Sequence, residues 1–179
     1  MEAMNETEYV DVLNENGEPT GAIMRGAEAR ANGFWTQVVG VVIVNDRQQI
    51  LLQLRSPNIG WANLWHVSAG GRVNAGETGL QAAIRETQEE IGLELNESEL
   101  HKIYSGTYIT ERHGKPLRYF DTHYIVHKNI DIANLNLQEY EVAAVKWFEL
   151  RELKKMVAEK DERLTPIWTE WAAIVNFML

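Results

Sequence analysis

The sequence predicts a layered domain of the α/β or α+β class, with helices packed on a sheet, and three observations carry that expectation. Residues 38–44, VVGVVIV, are apolar on both faces and read as a central strand, not an edge. Further strand patterns alternate with only a few helical ones along 179 residues. Residues 77–90 carry a 3.6-period apolar stripe beside a dense set of glutamates. A chain of this size removes roughly two-thirds of its unfolded-state surface from water, so one core suffices. We therefore expect a single domain over 1–179, with 1–36 as a cover segment and 37–179 holding the core and the C-terminal helix.

Taken in order, residues 9–13 form a short strand, and Asn14-Glu15-Asn16-Gly17-Glu18-Pro19 a turn, because glycine accepts positive φ and proline presets a bend. Residues 23–31 are ambiguous. After the 38–44 strand, Asn45-Asp46-Arg47 turns the chain into a second strand at 49–55, QILLQLR. Pro57 and Gly60 make 56–63 a loop, with Trp61 and Trp65 folding back on the core and a short strand at 65–69. Gly70, Gly71 and Gly76 bracket another loop before the helix of 77–90, which Gly92 ends. Strands at 100–109, 118–126 and 142–148 follow, the first two joined by a hairpin around Arg112-His113-Gly114-Lys115-Pro116. Helices at 150–160 and 166–179 close the chain. In the last, Ile167, Trp171, Ile174 and Met178 make an apolar face that docks on the sheet or on a partner subunit, so a homodimer is reasonable.

Composition excludes several functions. With no cysteine there is no disulfide, thiolate catalyst or Cys-based zinc site, and a reducing cytoplasm suits the chain. No apolar run reaches the roughly twenty residues of a membrane span, and the acidic start lacks a signal-peptide core. A net charge of -9 with no basic stripe argues against binding a nucleic-acid polymer. His66, His113 and His123 show no HExxH or three-histidine zinc spacing and read as surface or hairpin residues.

On the 77–90 helix, Leu80, Ala83, Ile84, Thr87 and Ile91 share one stripe, while Arg85, Glu86, Glu89 and Glu90 occupy the rest. Glu86 and Glu90 lie one turn apart with Glu89 beside them, so their oxygens can converge. Like charges so placed repel, and a solvated surface of glutamates is the plain alternative. A hard divalent ion, Mg²⁺ or Mn²⁺, would relieve the crowding, and the glycine-rich bend beside the helix permits the close backbone approach such a site needs.

The run Gly71 to Leu93, GRVNAGETGLQAAIRETQEEIGL, resembles the signature of the Nudix hydrolase family. Gly71, Glu77, Arg85, Glu86, Glu89, Glu90 and Gly92 fit it, with Thr87 the one departure, standing where an aliphatic is usual. Seven such identities coincide by chance about once in 10⁸ placements. The resemblance implies a Nudix-type α/β/α sandwich, metal bound by Glu86, Glu89, Glu90 and the backbone carbonyl of Gly70, and a bracing pair between Arg85 and Glu77. It also implies a further carboxylate outside the box, for which Glu141 fits best, with Glu139 and then Glu111 as competitors.

The implied chemistry is Mg²⁺-assisted attack of water on phosphorus, cutting a phosphoanhydride in a small-molecule diphosphate such as a nucleoside diphosphate joined to another moiety. Arg55 and Arg72 are the candidate phosphate ligands. Phe34, Trp35, Trp61, Trp65 and Tyr119 could stack on a base, although core or lid packing is the commoner use. The N-terminal portion, with GFWTQVVGVVIVN, resembles the isopentenyl-diphosphate isomerase branch of the family. Those isomerases use a cysteine before a degenerate box. Here Gly70 stands in that neighbourhood, no cysteine exists, and the glutamates are intact, which favours hydrolysis. A non-catalytic nucleotide-sensing module is the remaining alternative.

Overall fold

The computed structural model describes residues 8–112 and 114–178, so the expectation for His113 lies outside the described residues, as does Leu179 at the end of the last helix. Strand β1 (Tyr9–Leu13) pairs antiparallel with β2 (Pro19–Arg25) around a turn in which Gly17 has φ 83° and the Asn14 carboxamide oxygen accepts the Asn16 and Glu18 amides. The ambiguous segment thus divides between β2 and a short helix α1 (Gly26–Ala31). Strand β3 (Trp35–Val44) is central: it pairs antiparallel with β1, β4 (Gln49–Arg55) and β6 (Ala69–Arg72), and parallel with β8 (Lys115–His127). Strands β5 (Trp65–His66) and β9 (Val142–Glu149) add to β4, and β7 (His101–Arg112) adds to β8, giving a mixed nine-stranded sheet.

Alternation along β3 serves two cores. Val39, Val41 and Ile43 pack with Ala82, Ala83 and Ile91 of helix α2 (Gly79–Ile91). Val42 and Val44 pack in the other core, with Leu153 and Met156 of α3 (Leu150–Glu159) and Trp171 and Ile174 of α4 (Trp168–Phe177). The result is the expected α/β/α sandwich. Trp171 and Ile174 are fully buried against their own sheet, so the apolar face that suggested a dimer is consumed within the chain. No helix among the described residues is long and apolar enough to cross a membrane.

Two elements differ from expectation. The 65–69 strand is interrupted because Ser68 inserts its hydroxyl between β3 and β4, donating to Leu51 O at 2.6 Å and accepting from the Ile43 amide at 2.8 Å. The box helix begins at Gly79, two residues after Glu77. Its start is a capping box in which Thr78 Oγ1 accepts the Gln81 amide and the Gln81 carboxamide accepts the Thr78 amide. Thr-x-x-Gln was present in the sequence as a start signal, and Glu77 is released from the helix to meet Arg85.

Candidate active site

The β3–β6 ladder sets the floor of the site and α2 its wall. Gly70 and Gly71 on β6 face Gly40 and Val39 on β3. A Cβ on Gly71 would fall 2.4 Å from Glu86 Oε1, so the Glu86 carboxylate occupies the space a side chain there would fill. Glu90 lies deeper, 1% exposed, where its Oε2 accepts the Gly70 amide at 2.8 Å and Gln53 Nε2 at 3.0 Å. Its Oε1 is buried without a hydrogen-bond partner among the described residues. The alternative of a solvated glutamate face does not hold for two of the three: Glu86 and Glu90 are buried, whereas Leu80 and Ile84 of the apolar stripe are only partly covered.

Arg85 ties the loop to the helix with all five of its N–H donors. Nε and Nη2 grip both oxygens of Glu77 at 3.0 Å each, Nη1 reaches Glu86 Oε1 at 2.8 Å and Glu89 Oε2 at 3.0 Å, and Nη2 also donates to Arg72 O at 2.8 Å. Burial works against this cation, but the bonds from Glu77 and the charge of Glu86 outweigh it and keep the guanidinium protonated. Replacing Arg85 with lysine leaves three mobile donors for five fixed ones. We expect kcat to fall about 10–100-fold in steady-state assays, with the fold retained by circular dichroism; an unchanged kcat would contradict a bracing role.

The cleft is about 770 Å³ and is lined by Arg55, Gly70, Gly71, Arg72, Arg85, Glu86, Glu89, Glu111 and Glu141 among others. Glu90 lies beneath its surface, and Glu139 is exposed outside it. Glu141 lines the cleft, and its carboxyl is raised by burial and then by Glu8, with Arg55 and Arg72 opposing and Glu89 adding to the rise. Arg55 donates Nε–H to Gly60 O at 2.6 Å and sits over the Trp61 ring; burial lowers its pKa, opposed by the charges of Glu90 and Glu141. Arg72 pairs with Glu8 at 3.0 Å. Of the aromatic candidates, Trp61 and Tyr119 line the cleft, whereas Phe34, Trp35 and Trp65 do not.

Burial pushes the Glu86 carboxyl up to about 7, with Arg85 opposing and Glu8 and Glu89 adding to the rise. Glu90 is raised well above the ordinary range by burial and then by Glu86. Crowded, desolvated carboxylates with an unpartnered oxygen are a donor set that suits a hard divalent cation. As the side chains stand, no three acidic or histidine groups among the described residues are arranged to hold an ion, because Arg85 Nη1 holds Glu86 and Glu89. Glu89, whose side chain is 49% exposed, is the one with room to turn.

A NUDIX domain model matches residues 35–167. The chain belongs to the Nudix hydrolase family. An uncharacterized Nudix hydrolase of Listeria monocytogenes is 36% identical over 147 residues, 82% of each protein. An isopentenyl-diphosphate Delta-isomerase of Pectobacterium atrosepticum is 40% identical over 88 residues, covering 49% of this chain and 48% of that protein. The crystal structure of a Deinococcus radiodurans protein superposes with a TM-score of 0.71 at 24% identity, covering 92% of this chain and 98% of that one, a likeness of fold.

In this Nudix hydrolase the departure at Thr87 is structurally silent. The residue is fully buried, and its Oγ1 donates to Ala83 O at 2.7 Å, so the hydroxyl is satisfied inside the apolar stripe. Sequence reasoning missed Gln53, whose only signal was one polar residue inside QILLQLR, and the N-terminal clamps on the loop. Those clamps are Glu8 on Arg72, Asp11 Oδ2 accepting the Gly76 amide at 2.9 Å, and Tyr9 O accepting the Ala75 amide at 2.8 Å.

The raised Glu86 fixes the sign of a pH effect. A carboxyl whose folded pKa, about 7, exceeds its ordinary 4.5 contributes stability that is present below 4.5 and lost as pH rises through 7. His66, half-buried and with its pKa lowered, gives the opposite slope, so the comparison is made against Glu86→Gln. In metal-free protein the variant should match wild type near pH 4.5 and exceed it above pH 7 by on the order of 3 kcal/mol in denaturant melts. A gap that narrows with rising pH would contradict the assignment.

Proposed function

We propose that this enzyme hydrolyses a phosphoanhydride bond in a nucleoside diphosphate linked to another moiety, with Mg²⁺ (or Mn²⁺) as cofactor. The observation that carries the reading is the buried Glu90 Oε1, unpartnered among the described residues and beside Glu86, beneath the surface of a cleft that Glu86, Arg55 and Arg72 line. Glu86, Glu89, Glu90 and the backbone of Gly70 would hold the cation, and Glu90 is already fixed there by Gly70 and Gln53. When bound, such an ion offsets phosphate charge and acidifies water enough for attack on phosphorus at neutral pH.

The remaining work falls to the chain. Arg85 fixes the angle of Glu86 and Glu89 through its bidentate hold on Glu77. Arg55 and Arg72 offer guanidinium groups to the phosphates and to the charge developing on the leaving group; for Arg72 this means exchanging Glu8 for phosphate. Glu141, which lines the same cleft, would be the carboxylate outside the box that accepts a proton from the attacking water.

Isomerisation is the weaker reading, because the chain has no cysteine and all the glutamates of the box are present, Glu86 and Glu89 lining the cleft and Glu90 beneath it. A cytoplasmic setting fits the same absence of cysteine. The test is incubation with a panel of nucleoside diphosphate derivatives and Mg²⁺, read as nucleotide or phosphate release. Metal-dependent cleavage of at least one supports the proposal; micromolar binding without turnover would favour the sensing module.

A further inference from the structure

The N-terminal strap brings into the cleft a carboxylate that is no part of the box. Glu8 stands immediately before β1, lines the cleft together with Arg72, Glu86 and Glu141, and accepts Arg72 Nη1 on its Oε2 at 3.0 Å. The two side chains are largely withdrawn from water, 13% exposed for Arg72 and 26% for Glu8. An ion pair so enclosed is screened less than one on an open surface.

The position of Glu8 is fixed from several sides. The Gly26 amide donates to Glu8 O at 2.8 Å, Tyr9 O accepts the Ala75 amide at 2.8 Å, and Asp11 Oδ2 accepts the Gly76 amide at 2.9 Å. The strap is thus tied both to α1 and to the loop that leads into the box helix. Arg72 is held as well: its carbonyl accepts Arg85 Nη2 at 2.8 Å, and Gly26 leaves space for its stem, since a Cβ there would fall 3.0 Å from Arg72 Cδ and 3.2 Å from Nε. The planar fork of a guanidinium recognises carboxylate and phosphate oxygens by the same geometry. Glu8 and a phosphate therefore compete for the same group, and their negative charges repel. The charge of Glu8 also reaches the Glu86 and Glu141 carboxyls, adding to the rise of each.

We infer that Glu8 is an internal competitor for the phosphate site at Arg72, a carboxylate that occupies the guanidinium until a diphosphate displaces it, so that the N-terminal strap sets the affinity of the cleft for anions. The inference rests on the proposed function in taking Arg72 as a phosphate ligand. A ligand that does not reach Arg72 is indifferent to this contact, whereas one that does must break it. The contact weakens substrate and phosphate product alike, which favours release after cleavage.

The experiment is calorimetric titration of inorganic pyrophosphate, at saturating Mg²⁺, into the full chain as wild type, Glu8→Gln, Arg72→Gln and the double variant. Glutamine keeps the shape of Glu8 and accepts more weakly from Arg72, and the bonds that dock the strap do not use the Glu8 side chain, so the fold is expected to survive; a thermal melt checks it. Glu8→Gln should tighten pyrophosphate binding about tenfold and Arg72→Gln should weaken it. With Arg72 already replaced, removing the Glu8 charge should change binding by no more than about twofold. The cycle separates the local contact from general repulsion of anions, which persists without Arg72. An equal gain in both backgrounds, no gain in either, or no binding by any of the four proteins overturns the inference. Weaker binding by Arg72→Gln with no effect of Glu8→Gln overturns the inference alone, whereas unchanged binding by Arg72→Gln also removes Arg72 from the proposed function. Where Arg72→Gln does not fold, Glu8→Asp decides: it keeps the charge and shortens the reach to Nη1, so tighter binding there reports the local contact and unchanged binding overturns it.

Discussion

Glutamine in place of Glu90 is expected to lower kcat by at least about a hundredfold, beyond the 10–100-fold typical of residues that only orient a metal ligand. The thermal midpoint of metal-free protein is expected not to fall. The amide oxygen of glutamine can take over the Oε2 position, accepting from Gly70 and Gln53, and its NH₂ then stands where Oε1 is now buried without a partner. Burial, then Glu86, raise the Glu90 carboxyl well above its ordinary range, so metal-free protein favours its neutral form, and a neutral amide of the same shape replaces it at little cost to the fold while removing a metal-binding oxygen. Steady-state kinetics and a thermal melt on one preparation check both halves. Undiminished Mg²⁺-dependent turnover would remove Glu90 from the machinery, and a collapsed melting point would make it a structural residue.

The two adjacent glycines of β6 should respond in opposite ways to the same added methyl group. A Cβ on Gly70 would lie 2.4 Å from Val39 O and 3.0 Å from Gly40 Cα, both backbone atoms of the central strand, and no rotamer change can relieve that. Gly70→Ala is expected to cost about 3 kcal/mol or more, or to prevent soluble expression. A Cβ on Gly71 meets only the end of the Glu86 side chain, which can be pushed aside. Gly71→Ala should keep most of its stability and lose most of its activity, because the displaced carboxylate leaves the position set by Arg85. Equal effects of the two variants on both melting temperature and kcat would show that Gly71 does not make room for Glu86.

Much of the site was readable because the box combines residue identity with helical spacing, and both survive translation into three dimensions. Arg85 and Glu77 face each other, and Gly71 leaves space for a glutamate. The depth of those glutamates was not readable. Periodicity only separated Glu86 and Glu90 from the apolar stripe, and it is the approach of β6 and of Gln53 on β4 that encloses them. Glu141 and Glu139 could not be separated by position in the chain; the turn before β9, pinned by Ser56 donating its amide to Glu141 O at 2.8 Å, puts the first in the cleft and the second outside. The strands at 9–13 and 49–55 agreed with their apolar patterns, while β2 escaped because PTGAIMR is almost wholly exposed and carries little alternation. Asp121 and His123 were not readable for a related reason: a carboxylate and an imidazole two residues apart on a strand look like surface, yet both are buried on one face of the sheet.

The central claim is that oxygens from successive turns of α2 share one divalent ion. It is tested most directly by calorimetric titration of Mn²⁺, with a diphosphate present, into wild type and into the variant carrying Glu86→Gln, Glu89→Gln and Glu90→Gln together. The account predicts saturable uptake by wild type and its loss in the triple variant, with both proteins folded by circular dichroism. Equal uptake by the two, or none by wild type, would contradict it.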